Sequence, residues 1–221
     1  MDTAMVMDTK TEATAQKEYV IEPVIPARKP VYTFLKRSFD IVASLSAGVV
    51  LMLPLAVIAV LVKLDSPGPA LFKQERLGKD GKAFYMYKFR SMRLDAEKDG
   101  PKWAEQDDDR CTRLGKFLRK CRLDELPQLW NIFVGNMSIV GPRPERAYFY
   151  DQFETYIHGF RNRLVVRPGL TGWAQVSGGY DLLPEEKIVF DMQYIKERSV
   201  LMDLKIILKT VTLVFSHEGA R

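Results

Sequence analysis

Cysteine and histidine are scarce in this chain. Its 221 residues include two cysteines, Cys111 and Cys121, and two histidines, His158 and His217. Two cysteines build neither a disulfide scaffold nor a four-ligand zinc site, and they fit a reducing compartment. Two histidines leave little room for imidazole-based catalysis. The glycine-rich phosphate loops GxxxxGK(S/T) and GxGxxG are missing, as are the zinc-hydrolase HExxH and the nucleophile elbow GxSxG. Disorder over the whole length is excluded, because hydrophobic residues make up 47% and charged residues 28%. Lysine and arginine number 33 against 28 acids, so the net charge is +5. That balance favours an anionic partner such as a nucleic acid, a membrane surface or a phosphorylated small molecule.

Charge is absent from one long stretch. No charged residue occurs from Ile41 to Val62, a run of 22. As a helix it extends roughly 33 Å, enough to cross a hydrocarbon core of about 30 Å. Pro54 lies inside the run and removes a backbone hydrogen bond. Arg28, Lys29, Lys36 and Arg37 precede the run, and Lys63, Lys73 and Arg76 follow it. Basic residues on both sides place both flanks in the cytoplasm. A helix that breaks near Pro54 and returns to the same face satisfies that; a proline-kinked span is the other reading. Residues 1–30 carry three prolines and little apolar periodicity, and read as a mostly disordered tail without the apolar core of a signal peptide. The organisation expected is therefore a tail (1–30), a membrane segment with its lead-in (31–63) and a catalytic-sized remainder (64–221).

Within that remainder, Asp65-Ser-Pro-Gly-Pro69 is a turn, and residues 70–77 and 83–90 read as strands joined through Asp80-Gly81 into a hairpin. Residues 95–109 read as a polar loop ending in Asp107-Asp-Asp109, a solvated turn rather than a metal motif. Arg110 to Arg122 is basic, with Leu114, Phe117, Leu118 and Cys121 on one helical stripe. Such a helix suits either an anionic membrane interface or core packing with a solvated basic face. Further helices are expected from near Glu125 toward Phe133, over 145–157, over 185–198 and over 200–215. The fold class is α+β, mainly helical, with a small β-hairpin.

The chemistry concentrates around Asp124 and Glu125. Asp124 stands where a helix N-cap belongs, with Pro127 in the first turn. Capping and dipole compensation explain the pair without any reaction. A helix N-terminus also attracts phosphate, and adjacent carboxylates offer a nucleophile and a metal ligand or proton acceptor. Arg119 and Arg122 precede them. Arg143 lies in Gly141-Pro-Arg-Pro144, Arg167 opens Arg167-Pro-Gly, and Lys88 and Arg90 end the second strand. Proline and glycine make several of these arginines rigidly presented, which suits an anion site.

These motifs also carry a resemblance. KRSFD (36–40), the apolar run with its proline, SPGPALFKQERLGKDGKAFYMYKFRSM (66–92), LGKFLRKCRLDELPQLWNIFVGNMSIVGPRPE (114–145), RPGLTGWAQV (167–176) and DLKIILKT (203–210) resemble the bacterial sugar transferases, the monotopic phosphoglycosyl transferases. The likeness runs from about Lys36 to Phe215. It implies a monotopic membrane protein with a re-entrant helix kinked at Pro54 and interfacial amphipathic helices. It implies transfer of a hexose-1-phosphate from a UDP-sugar, UDP-glucose or UDP-galactose, to undecaprenyl phosphate. Asp124 would be the nucleophile, forming a phosphosugar-aspartyl intermediate. Glu125 would assist, Mg²⁺ would sit near both, and Arg119, Arg143, Arg167, Lys88 and Arg90 would bind substrate phosphate. The setting implied is the cytoplasmic face of a bacterial membrane, with downstream glycosyltransferases as possible partners. Leu53 and Asn136 depart from the residues more usual at those positions. A catalytically silent membrane scaffold is the competing class; a nucleic-acid binder is disfavoured by the apolar run and by the lack of any nucleic-acid motif.

Overall fold

The structure, a computed structural model, describes residues 17–98, 100, 108–178 and 182–216. In chain order its first elements are β1 (Tyr19–Val20), α1 (Pro30–Val50), α2 (Met52–Asp65), β2 (Leu71–Leu77), β3 (Ala83–Phe89), α3 (Arg113–Lys120) and α4 (Gln128–Val134). They are followed by β4 (Ser138–Val140), α5 (Ala147–Glu154), β5 (Ile157–His158), β6 (Gly169–Thr171), α6 (Trp173–Ser177), α7 (Pro184–Glu197) and α8 (Val200–Ser216). The fold is mainly helical with three two-stranded sheets, as the α+β expectation holds.

The apolar run forms two helices bent by 64° at Leu51. The break lies one turn before Pro54, not at it, and the physics of proline explains the offset. A proline ring clashes with the carbonyl four residues back and offers it no N–H. Here that carbonyl belongs to Val50, the last residue of α1. Helical bonding resumes at once on the far side, with Leu55 N–H donating to the Leu51 carbonyl at 2.8 Å. Among the described residues no single helix is long and apolar enough to cross a membrane; the bent pair together meets that requirement in length and composition only. Leu45, Val49, Met52, Leu53, Val57, Val60 and Leu64 are all exposed, so these helices offer solvent a surface that a soluble monomer would bury.

The opening turns of α1 are bolted to the rest of the protein by polar contacts. Arg37 donates to the carbonyls of Ile132 and Phe133, both at 2.7 Å, at the negative end of α4. Asp40, 2% exposed, accepts from Ser138 Oγ at 3.1 Å and from Ile139 N–H at 2.9 Å. Lys36 and Tyr32 both reach Asp203 of α8, at 2.9 and 3.0 Å. A helix attached this way cannot swing freely relative to the domain it packs on.

Strands β2 and β3 pair antiparallel from Leu71–Phe89 to Leu77–Ala83. Asp80 and Gly81 adopt φ values of 57° and 73° in the connecting turn, the left-handed conformation that the Asp-Gly signal announces. The stripe on α3 divides. Leu118 is buried against Val62 and Phe89, and Leu114 packs on the same cluster, whereas Phe117 points outward at 56% exposure. Thr112 caps α3, accepting the Gly115 N–H at 2.9 Å. Gly115 must be glycine, since a Cβ would collide with the Ser91 backbone. Thus α3 lies directly on the strand end that follows Lys88.

The largest core cluster joins α5, α7 and α8 through Tyr150, Phe160, Ile188, Ile195 and Ile206. Two pairings were not visible in the sequence. β4 and β6 run parallel, and β1 pairs parallel with β5. The latter corrects the tail expectation over its described part: Tyr19, Ile21 and Val24 pack on the main core. Residues 1–16 lie outside the described residues.

Candidate active site

Asp124 and Glu125 lie in a single 3₁₀ turn, Leu123–Glu125, between α3 and α4. Arg122, just before it, takes a left-handed conformation at φ 55°. A non-glycine residue there is strained by about 1–3 kcal/mol. The reversal directs both acids inward, toward β3. The expectation that Asp124 caps the following helix is corrected here. The residue at the N-terminus of α4 is Pro127, no side chain caps it, and Asp124 is 7% exposed inside the turn.

The two neighbours have opposite environments. Glu125 is held by Lys88, whose Nζ donates to Oε1 at 3.0 Å, and by Arg143, which donates to both carboxylate oxygens. Burial pushes the Glu125 carboxyl up, but the Arg143 and Lys88 charges and their hydrogen bonds outweigh it. The group ends well below its ordinary range and stays ionised. Asp124 accepts no side-chain hydrogen bond among the described residues. Burial first, and the adjacent Glu125 charge second, push its carboxyl up to about 6, against the pull of Lys88, Arg119 and Arg143. One acid is therefore locked into cations, and the other is open and under-compensated. Pairs of carboxylates driven apart in this way mark functional sites.

Both acids line a cleft of about 430 Å³ with eleven basic and five acidic side chains on its walls. Lys88, Arg119 and Arg143 all line it, together with Asp124 and Glu125. Arg119 also lies 3.0 Å from Cys111 Sγ. Arg90 has a different occupation. Its guanidinium donates to the carbonyls of Pro67, Ser66 and Val62, so it ties the end of α2 to the strand end while also lining the cleft. Arg167 does not join the group at all; it lines a separate, smaller cavity against α1.

Among the cleft cations not singled out in the sequence are Arg76, Arg146 and Arg163. Arg76 pairs with Glu145 at 2.8 Å and donates to the Pro144 carbonyl at 3.1 Å, bracing the turn that carries Arg143. Arg146, at the cleft edge, pairs with Glu97 at 2.8 Å. Arg163, 4% exposed, lies 2.6 Å from Asp191, whose carboxyl burial pushes up to about 6 despite that partner. Arg76 follows Glu75 on an alternating strand and could have been flagged by its inward parity. Arg163 and Asp191 carry no local signal. Asp108 pairs with Arg110 at 2.5 Å and is 7% exposed, which corrects the solvated-turn reading at that residue. Asp107 lies outside the described residues.

Among the described residues no cluster of three or more metal-ligating side chains occurs. Of the acids that line the cleft, Asp124 and Glu125 are the two that stand side by side. Such a set fits Mg²⁺, which commonly takes one or two carboxylates and completes its shell with substrate phosphates and water. Asp124 has the free lone pairs. Glu125 could contribute only by giving up a contact to Lys88 or Arg143.

The fold and cleft together describe a helical α+β protein with a large exposed apolar surface and a cation-rich cleft around a carboxylate pair. The sequence profile described as "Bacterial sugar transferase" matches residues 31–217, and the chain belongs to that family. It is 46% identical over 196 residues to the UDP-N-acetylgalactosamine-undecaprenyl-phosphate N-acetylgalactosaminephosphotransferase of Aeromonas hydrophila, covering 87% of this chain and 46% of that protein. It is 42% identical over 207 residues to the UDP-glucose:undecaprenyl-phosphate glucose-1-phosphate transferase of Escherichia coli K12, covering 90% of this chain and 45% of that one. The exopolysaccharide production protein PSS of Rhizobium leguminosarum is 45% identical over 186 residues, which cover 80% of this chain and 93% of that protein. The chain thus spans about half the length of the first two relatives and nearly all of the third.

Proposed function

We propose that this chain is a phosphoglycosyl transferase that moves a hexose-1-phosphate from a UDP-sugar to undecaprenyl phosphate. The products are undecaprenyl diphosphate-sugar and UMP. One observation carries the reading: Asp124 is a buried, open carboxylate on the floor of a cation-lined cleft, while its neighbour Glu125 is fully engaged. In the mechanism, an Asp124 oxygen attacks the phosphorus that bears the sugar. The bond from that phosphorus to the bridging oxygen breaks, and UMP leaves with the electron pair. The resulting phosphosugar-aspartyl ester is then attacked by an oxygen of the lipid phosphate, which frees Asp124. Two substrates, one soluble and one greasy, can use one small site in turn.

Glu125 is poorly suited to take a proton, since it is held ionised by two cations. Its role is to keep Lys88 and Arg143 at the cleft floor, where their charges meet the substrate phosphates. Arg119 adds positive charge from α3. Asp124, with Glu125 beside it, would hold Mg²⁺, which would supply charge neutralisation for the diphosphate and the departing UMP. Arg90 acts through the α2 connection and Arg167 outside the cleft, so the phosphate-binding role passes from these two to Arg76 and Arg146.

The bent pair α1–α2 is read as a re-entrant hairpin in the cytoplasmic leaflet, with the basic flanks on the cytoplasmic side. Exposed Leu201, Leu204 and Leu208 on α8 and Phe117 on α3 suit helices lying in the interface. The site then sits where the lipid phosphate is found, and the reaction starts a surface glycan that downstream glycosyltransferases extend. The donor proposed is UDP-glucose or UDP-galactose. The test is UMP release by protein in nanodiscs with Mg²⁺ and undecaprenyl phosphate, across UDP-glucose, UDP-galactose and UDP-N-acetylgalactosamine. Lipid-dependent release with one hexose donor supports the reading. Preference for the N-acetylated donor overturns the hexose assignment, and silence across the panel with folded, inserted protein favours the scaffold.

A further inference from the structure

A second cavity, of about 170 Å³, lies between the start of α1, the Lys79–Gly81 turn and the segment 165–167. Its walls carry five cations, Lys36, Arg37, Lys79, Arg167 and Arg198, and one acid, Asp40. Some of this charge is already committed. Lys36 pairs with Asp203, and Arg37 serves the two carbonyls of α4. Asp40 is taken by Ser138 and Ile139. What remains is weakly compensated. Arg167 has no hydrogen bond or ion pair among the described residues, and its backbone is pinned between β4 and β6, where the Pro168 carbonyl accepts from Ser138 N–H at 2.8 Å. Among the described residues Lys79 pairs only with Asp80, at 3.9 Å on the surface. Arg198 donates one bond to the Ala27 carbonyl and lies 5.9 Å from the centre of the Tyr32 ring, but its buried Nε has no hydrogen-bond partner among the described residues.

Half-buried cations gathered without a counter-charge repel one another, and a phosphate group relieves that repulsion while accepting several charge-assisted hydrogen bonds. The cavity holds one phosphate with a small substituent. It opens beside α1, where Leu35 and Phe39, each 49% exposed, flank Lys36 and Asp40 in the sequence. We propose that this cavity is a second anion site, separate from the catalytic cleft, that takes the phosphate of an anionic phospholipid headgroup. The lipid source rests on the membrane placement of α1 given above; the phosphate chemistry does not. A lipid held there would fix the depth of the helix pair and add to its anchorage without entering the reaction.

The test follows the thermal midpoint of the full chain in neutral detergent. Short-chain phosphatidylglycerol, short-chain phosphatidylcholine and inorganic phosphate are each titrated against wild type, Arg167→Gln and Lys79→Gln. Lys79 is exposed on a turn, so its replacement keeps folding intact if Arg167→Gln does not. For wild type, phosphatidylglycerol should raise Tm by roughly 5–10 °C at a hundredfold excess over Kd. Phosphatidylcholine should do far less, and each variant should lose at least half of the rise. An equal response to inorganic phosphate, also lost in the variants, assigns the site to free phosphate and overturns the lipid source alone. Variants that respond to phosphatidylglycerol as wild type does overturn the site. UMP release by Lys79→Gln, measured alongside, keeps this outcome separate from the catalytic proposal, because a failure of the transferase reading would silence wild type and variant alike.

Discussion

Replacing Asp124 with asparagine should abolish turnover and make the protein more stable. The carboxyl is 7% exposed and accepts no side-chain hydrogen bond among the described residues. Its raised value, about 6 against an ordinary 3.8, means that ionising it in the folded state costs about 3 kcal/mol more than ionising it in the unfolded chain. The direction in pH follows. Below pH 4 the group is neutral in both states and contributes nothing. As pH rises toward 6 the unfolded chain gives up its proton first, so stability falls, and above 6 the full cost is present. Asparagine has nearly the same shape and never ionises, so Asp124→Asn avoids that cost. Thermal unfolding in detergent, without Mg²⁺ or donor, should show the variant melting roughly 6–12 °C higher at pH 7.5. The gap should close toward pH 4. A variant equal to or less stable than wild type at pH 7.5, or a gap that does not change with pH, refutes the claim that Asp124 is held in place against its own electrostatic interest.

Other outcomes follow from the same geometry. The nucleophile must be the carboxylate, so kcat/KM should fall on the acid side, about tenfold per pH unit once Asp124 is protonated, and because a cation beside it favours the carboxylate that limb should move to lower pH as Mg²⁺ is raised; an acid limb that does not respond to Mg²⁺ concentration contradicts this. Arg163→Met leaves Asp191 buried without its cation and should destabilise by about 3–5 kcal/mol at pH 7.5. Because Asp191 takes up a proton near pH 6 even with its partner present, that loss should shrink at pH 5, as chemical denaturation at the two pH values will show. Gly115→Ala drives α3 away from the Ser91 backbone, so a loss of about 1–3 kcal/mol and a lower kcat are expected together. Pro54→Ala restores an N–H for the Val50 carbonyl and should relax the 64° bend. Thiol labelling of Lys29→Cys and Asp65→Cys from either side of the membrane should find both on one face in the parent and a second population on opposite faces after Pro54→Ala.

Much of this architecture was legible in residue order because its signals are local. The uncharged run, the Asp-Gly turn and the periodicity of 185–198 and 200–215 each act within a few residues, and helices α7 and α8 and the β2–β3 hairpin appear where those signals stand. The break at Leu51 was displaced by one turn because proline acts on the carbonyl four residues before it. What escaped was non-local. β4 and β6 are three residues each, too short to show alternation, and they meet only because Gly141 and Gly169 let the two backbones approach. Asp124 and Glu125 could be read as a helix cap or as a reactive pair. The choice turned on the left-handed Arg122 and on Lys88, which arrives from a strand 37 residues away. Arg167 shows the opposite limit. A rigid flanking turn presented it as a phosphate ligand of the main cleft, yet which cavity an arginine reaches is set by packing that no local pattern encodes.

The central claim is that Asp124 carries the phosphosugar between two half-reactions. It is tested most directly by mixing the protein with Mg²⁺ and its UDP-sugar in the absence of undecaprenyl phosphate. The account predicts a burst of UMP no larger than the enzyme present, a phosphosugar adduct on the peptide containing Asp124, and discharge of that adduct when the lipid is added. Release of UMP only when lipid is present, with no adduct on rapid quenching, would contradict it and point to direct transfer between the two substrates.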